Sequence, residues 1–171
     1  MHWWNNVLYD TCSLVSLYEV NSVYPGFESQ FPFILTIEEV LHGDRLDPMK
    51  AAYFRGRVRL VESPHPQFVA EAIGAGNLPK ALSRVDSAIY VTALRRKTRV
   101  ITGDIRLANA LDKQGLLAGN MALALRSLVL EGVVSKSDCG NILVNLAGRG
   151  EFLLNPNKPQ TWKTLEDYRF P

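Results

Sequence analysis

The chain predicts an α/β domain: three layers, α/β/α, around a mainly parallel central sheet. Three observations carry that expectation. Short apolar runs alternate with stretches of helical periodicity, the pattern of strands joined by crossover helices. Two of the runs, Val7 to Tyr9 and Arg99 to Thr102, lead into an aspartate and then a helix. Apolar residues at 47% and charged residues at 21% of 171 residues match one globular domain rather than a disordered chain.

The elements follow in order. Val7-Leu8-Tyr9 reads as a strand ending at Asp10. Leu14, Leu17, Tyr18 and Asn21 then recur at helical spacing until Pro25-Gly26 stops the run. Phe31 to Leu35 is a second apolar stretch, after which Thr36 is expected to open a helix bearing Ile37, Val40 and Leu41; Gly43 and Pro48 punctuate its end. Arg57 to Val61 alternates basic and apolar residues, as a half-buried strand would. Pro64 to Gly76 reads as a short helix. Ser83 begins the clearest helix, running to about Lys97, with Val85, Ala88, Ile89, Thr92 and Ala93 inward. Its closing Arg95, Arg96 and Lys97 suit the negative end of the helix dipole. After the strand Arg99 to Thr102, Asp104 opens a helix through Leu107, Ala110 and Leu111 to Gly115. Two more helices are expected, Asn120 to Glu131 and Ser135 to Ala147, and a tail from Asn155 that wraps the surface. The organisation expected is a core over residues 1–119 with residues 120–171 packed on it. Leu123, Leu125, Leu128 and Val129 with Ile142, Leu143 and Leu146 are too apolar for isolated helices and call for the core or a homodimer as cover.

Several classes of protein are disfavoured. No apolar run reaches the roughly 18 residues of a membrane span. The first residues carry no basic patch followed by an apolar run, so no secretory signal is expected. Cys12 and Cys139 provide neither a disulfide framework nor zinc spacing, and three scattered histidines add none. A reduced, cytoplasmic setting is the expectation. The net charge of +2 does not by itself announce a nucleic-acid partner. No nucleotide-binding glycine motif or nucleophilic-serine context is present.

The chemistry is concentrated in four acids at element junctions: Asp10, Glu39, Asp86 and Asp104. Taken singly, each reads as a helix cap. Asp10 and Asp104 precede helices, where aspartate is a preferred N-cap. Thr36-x-x-Glu39 and Ser83-x-x-Asp86 read as capping boxes. Taken together they read differently. In a parallel sheet the strand carboxyl ends and the following helix starts share one edge, where open α/β sheets bind ligands. Carboxylates with ordinary pKa values near ~4 repel one another in one cleft, and a divalent cation relieves that repulsion. An all-oxygen set selects Mg²⁺ or Mn²⁺ over zinc. Glu38 adjoins Glu39 about 100° round the helix, so only one of them faces the cleft; Glu39 is preferred because it completes the capping box.

These residues resemble the PIN-domain ribonucleases, the family that includes VapC-type toxins. The carrying motifs are Tyr9-Asp10-Thr11-Cys12-Ser13-Leu14, Glu39-Val40-Leu41-His42-Gly43, Leu82-Ser83-Arg84-Val85-Asp86 through Ala93, and Val100-Ile101-Thr102-Gly103-Asp104. The likeness covers about residues 7–118, and Met121 to Phe152 is similar to the extra C-terminal helices of some PIN-like proteins. Cys12 departs from it, standing where the family usually has Ser or Asn.

The resemblance implies a Mg²⁺- or Mn²⁺-dependent endoribonuclease with Asp10, Glu39, Asp86 and Asp104 as the metal-holding catalytic set, leaving a 5′-phosphate and a 3′-hydroxyl. Thr11, Ser13 and Thr102 are expected as supporting donors, and Arg84 and Arg106, near the acidic edge, as RNA phosphate contacts. RNA is the expected partner, with a cognate antitoxin as a second if the protein is a toxin. Two competitors stand beside this reading: a PIN-like module that binds RNA or protein without cutting, and a toxin held silent by its antitoxin. His42 and His65 have no partner in the sequence and are expected at the surface.

Overall fold

Five short strands form the sheet of the computed structural model, which describes residues 2–43, 45–76, 78–79 and 82–170. They are β1 (Val7–Tyr9), β2 (Ile34–Thr36), β3 (Arg59–Leu60), β4 (Val100–Ile101) and β5 (Ala118–Gly119). All pair in parallel, in the order β3-β2-β1-β4-β5. The helices are α1 (Thr11–Val23), α2 (Glu38–His42), α3 (Pro48–Phe54), α4 (Pro66–Gly74), α5 (Arg84–Arg96), α6 (Ile105–Asp112), α7 (Met121–Leu130), α8 (Lys136–Gly148) and α9 (Trp162–Glu166). This is a three-layer α/β/α arrangement with an all-parallel sheet.

The chain moves outward from β1 through β2 to β3, then returns to lay β4 on the other side of β1 and continues to β5. Right-handed crossovers therefore put successive helices on opposite faces of the sheet in the two halves. The contacts agree: α1 packs with α7 and α8, while α4, α5 and α6 form a contiguous set. The reversal of strand order falls between β1 and β4. Their carboxyl ends flank a crevice there, as in other doubly wound sheets.

The core runs through both layers. Leu8, Tyr9, Val100 and Ile101 of the central strands are wholly or almost wholly buried, as are Leu14 and Leu17 of α1 and Leu107 and Leu111 of α6. Helix α5 is buried on every side between Asp86 and Ala93, because it is sandwiched between its helical neighbours and the sheet; only Arg84 and the closing Arg95 and Arg96 are exposed. Leu125, Leu128, Ile142, Leu143 and Leu146 are buried, with α7 and α8 against α1 and α9 against both. Trp3 lies across Gly119, where a β-carbon would come within 2.2 Å of the indole, so β5 ends in the one residue that admits the ring. No helix among the described residues is long and apolar enough to cross a membrane.

Four sequence expectations need correction. Thr36 does not open a helix: it is the last residue of β2, and its hydroxyl donates to the Tyr9 carbonyl at 2.8 Å. The backbone stays extended through Ile37, so the helix begins at Glu38 and the Thr36–Glu39 capping box does not form. The strand expected over Arg57 to Val61 contracts to Arg59–Leu60, and both residues are exposed because β3 is a sheet edge. Gly43 and Pro48 do bound the end of α2, but Pro48 also starts a helix that no expectation covered, α3: Asp47 accepts from the Met49 amide at 2.8 Å and proline occupies the first turn. The tail is not featureless, since Thr161 caps α9.

Candidate functional site

Asp10 directly follows β1 and caps α1, its Oδ1 accepting from the Ser13 amide at 2.7 Å. Its Oδ2 accepts from the Thr102 hydroxyl, one strand away. The same Thr102 oxygen accepts from the Asp104 amide at 2.9 Å, so one hydroxyl ties the ends of β1 and β4 together. Ser13 completes the tie by donating its hydroxyl to the Ile101 carbonyl at 2.7 Å. Of the three expected supporting donors, Ser13 and Thr102 therefore hold Asp10. Thr11 is buried in the first turn of α1 and bonds to no acid among the described residues.

Asp10 has no solvent exposure. Burial pushes its carboxyl up to about 6, and the nearby Asp86 charge adds to the rise; the Thr102 and Ser13 hydrogen bonds oppose it. Asp104 is in the opposite state. It caps α6 through the Arg106 amide at 2.7 Å and grips the Arg106 guanidinium at 2.8 Å, which holds the carboxyl below its usual range. Asp86 is buried in the first turn of α5, accepts from the Ser83 hydroxyl at 2.6 Å and faces Arg45 at 3.7 Å. The Ser83 hydroxyl accepts from the Asp86 amide at 3.1 Å, so this box closes side chain to side chain rather than onto the cap's own backbone.

Cys12 sits among these groups. Cys12 is exposed at the surface, yet partial desolvation of its sulfur, together with the Asp10 and Asp86 charges, pushes the thiol up to about 11. A thiol so held stays protonated at neutral pH and is neither a nucleophile nor a thiolate ligand. Gly103 approaches it closely: a β-carbon there would lie 3.6 Å from that of Cys12.

The Glu39 carboxylate accepts from the Ser63 hydroxyl, beyond β3. Glu38 is exposed and pairs with His42 at 3.4 Å, so the two glutamates do point in different directions, although the capping box that favoured Glu39 is absent. Arg84 is exposed on the first turn of α5. Arg106 is exposed too, but its guanidinium is engaged by Asp104. His65 is exposed and caps α4 through its ring nitrogen.

Two residues at this edge escaped the sequence reading. Arg45 follows α2 outside any periodic element, so no pattern marked it. Asn120 was read as a helix start, but β5 is only two residues long, and without that strand its place at the carboxyl edge was hidden. Asn120 caps α7 and donates to the Tyr168 hydroxyl at 2.6 Å.

The oxygen donors of Asp10, Asp86 and Asp104 suit a hard divalent cation in chemistry. As arranged, no three His, Cys, Asp or Glu side chains among the described residues are grouped to hold one. Asp104 is turned to Arg106, and Asp86 to Ser83 and Arg45. What the edge provides is three carboxylates near the switch point, two of them facing the guanidinium groups of Arg45 and Arg106. Compared with known proteins, the chain matches no family model and no curated protein.

Proposed function

We propose that the carboxyl edge of the sheet is the active site of a Mg²⁺- or Mn²⁺-dependent endoribonuclease. The observation that carries this reading is the placing of Asp10, Asp86 and Asp104 at the starts of α1, α5 and α6, beside the point where strand order reverses. Three carboxylates from three separate helix starts are more than capping requires in one place. The PIN-like motifs of the sequence supply the class of reaction. A bound divalent cation would provide a nucleophilic water and shield the charge of the phosphodiester.

The chain's own groups have distinct tasks in this reading. Asp10, fixed by Ser13 and Thr102, is the rigid anchor for the cation. Asp104 and Asp86 would hold the metal on release from Arg106 and Arg45, and Glu39 would complete the acidic set. Arg106, once released from Asp104, is free to meet a phosphate, with Arg84 exposed nearby in sequence to Asp86. A cytoplasmic toxin restrained by an antitoxin, acting as a homodimer, is the biological form the resemblance suggests.

A second reading has its own support. Arg106 and Arg45 already neutralise Asp104 and Asp86, which is the state expected of a PIN-like module that binds without cutting. One experiment separates them. Single-stranded RNA is incubated with the protein in EDTA and in millimolar Mn²⁺, and with Asp104→Asn and Glu39→Gln. Asparagine caps a helix as well as aspartate does, so the fold of Asp104→Asn should survive. Mn²⁺-dependent cleavage that collapses in both variants, with a melting temperature that rises with Mn²⁺ only in the parent, is expected. Full cleavage by Asp104→Asn removes that residue from the site.

A further inference from the structure

Segment 152–170 builds a second wall beside the acidic edge. A cavity of about 460 Å³ has Ser13, Gly103 and Asn120 on its inner side, the immediate neighbours of Asp10, Asp104 and β5. Its outer side is Phe152, Tyr168 and Phe170. That volume lies within the roughly 300–1,000 Å³ range of small-molecule sites. Phe152 is 42% exposed, Phe170 is half-buried, and Tyr168 is held in place by Asn120. Beyond Tyr168 and Arg169 a second cavity, of about 560 Å³, continues along the segment. Lys158, Lys163 and Arg169 line it, with Asp167 as the acid among its lining residues. The order along the surface is thus carboxylates, aromatic rings, then cations.

Each station suits one part of a polynucleotide. Carboxylates take a phosphodiester through a cation, aromatic faces stack a base, and lysine and arginine take a phosphate. A ring on a cavity wall can stack only a base that has left its helix, so the strand is single. We infer that segment 152–170 forms a nucleotide subsite of the proposed nuclease, stacking the base next to the scissile bond on Phe152, Tyr168 and Phe170 and holding the phosphates that follow, one to each cation, on Lys158, Lys163 and Arg169. This inference rests on the endoribonuclease reading for what lies at its acidic end, and its binding test does not.

The test is binding of a fluorescent eight-nucleotide single-stranded RNA in EDTA, where nothing is cut, by the full chain and three variants. Phe170→Ala should weaken binding at least about fivefold, the smallest loss expected for one stacked base, and Phe170→Trp should restore it. Lys163→Ala with Arg169→Ala should flatten the dependence of log Kd on log salt by roughly 1.4, two phosphate contacts on a single strand. Unchanged melting temperatures exclude misfolding. If the parent binds RNA and both Phe170→Ala and the Lys163/Arg169 double variant match it in affinity and salt slope, the subsite is overturned, and the nuclease reading is judged separately by Mn²⁺-dependent cleavage. If the variants weaken binding but the parent never cuts, the subsite stands and the nuclease reading falls. A parent that binds no RNA in EDTA overturns the subsite and leaves the nuclease reading to the Mn²⁺ cleavage assay.

Discussion

The ends of β1 and β4 share a local grammar, a buried apolar strand and then an aspartate that caps a helix, yet their carboxylates are in opposite states. Asp10 is fully buried and raised to about 6; Asp104 is partly exposed and held low by Arg106. The cause is a two-residue offset. Asp10 follows Tyr9 directly and stays under the sheet edge, whereas Thr102 and Gly103 carry Asp104 outward to where Arg106 reaches it. Capping starts the helix in both cases. Depth and partner decide the charge.

The largest test of that contrast is deletion of each cap. Asp10→Ala leaves the Ser13 amide and the Thr102 hydroxyl unpaired inside the protein. A loss of about 2–4 kcal/mol is expected from the lost cap and the unpaired donors. Asp104→Ala, whose partners meet solvent, should cost about 1 kcal/mol. Urea denaturation in metal-free buffer reads both, and equal losses break the comparison.

A pH series comes next. The folded pKa of Asp10 is raised, so its contribution is fully present below the unfolded value of 3.8 and is lost as pH rises through about 6. The loss is on the order of 3 kcal/mol. Asp10→Asn should remove it, so the variant gains on the parent between pH 4 and 7. Asp104 has a depressed pKa, so its contribution is present above the usual carboxylate range and is lost as pH falls. Asp104→Asn should therefore lose to the parent at pH 7 and draw level in acid. Parallel curves for the two variants would contradict opposite states.

Thr102→Val is smaller, about 1–2 kcal/mol for one buried hydrogen-bonding hydroxyl. It should also move the Asp10 carboxyl above its present value, because a hydrogen bond that favours the charged form is gone. Carbon-13 NMR of the carboxyl reads that shift. The smallest effect is Arg106→Gln, which should leave the melting temperature nearly unchanged while the Asp104 titration moves up toward the ordinary carboxylate range.

Much of this was legible in the sequence because the relevant residues are local signals. Asp10, Asp86 and Asp104 each stand in the first turn of a helix or just before it, and a parallel sheet necessarily brings such positions to one edge. Ser13 and Thr102 were found for the same reason. Glu39 was chosen partly on a capping box that fails, because pairing of Thr36 with the neighbouring strand outweighs its capping preference. Arg45 and Asn120 depend on contacts between segments far apart in sequence, and strands of two residues leave no periodicity to detect. Segment 152–170 reads as polar tail until Tyr168 is seen to meet Asn120 across 48 positions.

The Thr102 hydroxyl has one hydrogen, and its direction matters. Both oxygens of Asp10 already face donors, one a helix amide that cannot turn and the other this rotatable hydroxyl. The carboxylate has further lone pairs, but a proton that takes the one facing Thr102 can do so because the hydroxyl is able to swing away. Thr102 then becomes a double acceptor, from Asp10 and from the Asp104 amide, with its own hydrogen seeking a new oxygen. Proton uptake on that side of the buried acid would reverse the sense of a hydrogen bond whose oxygen also accepts the amide at the start of α6, linking the two strand ends through one hydroxyl.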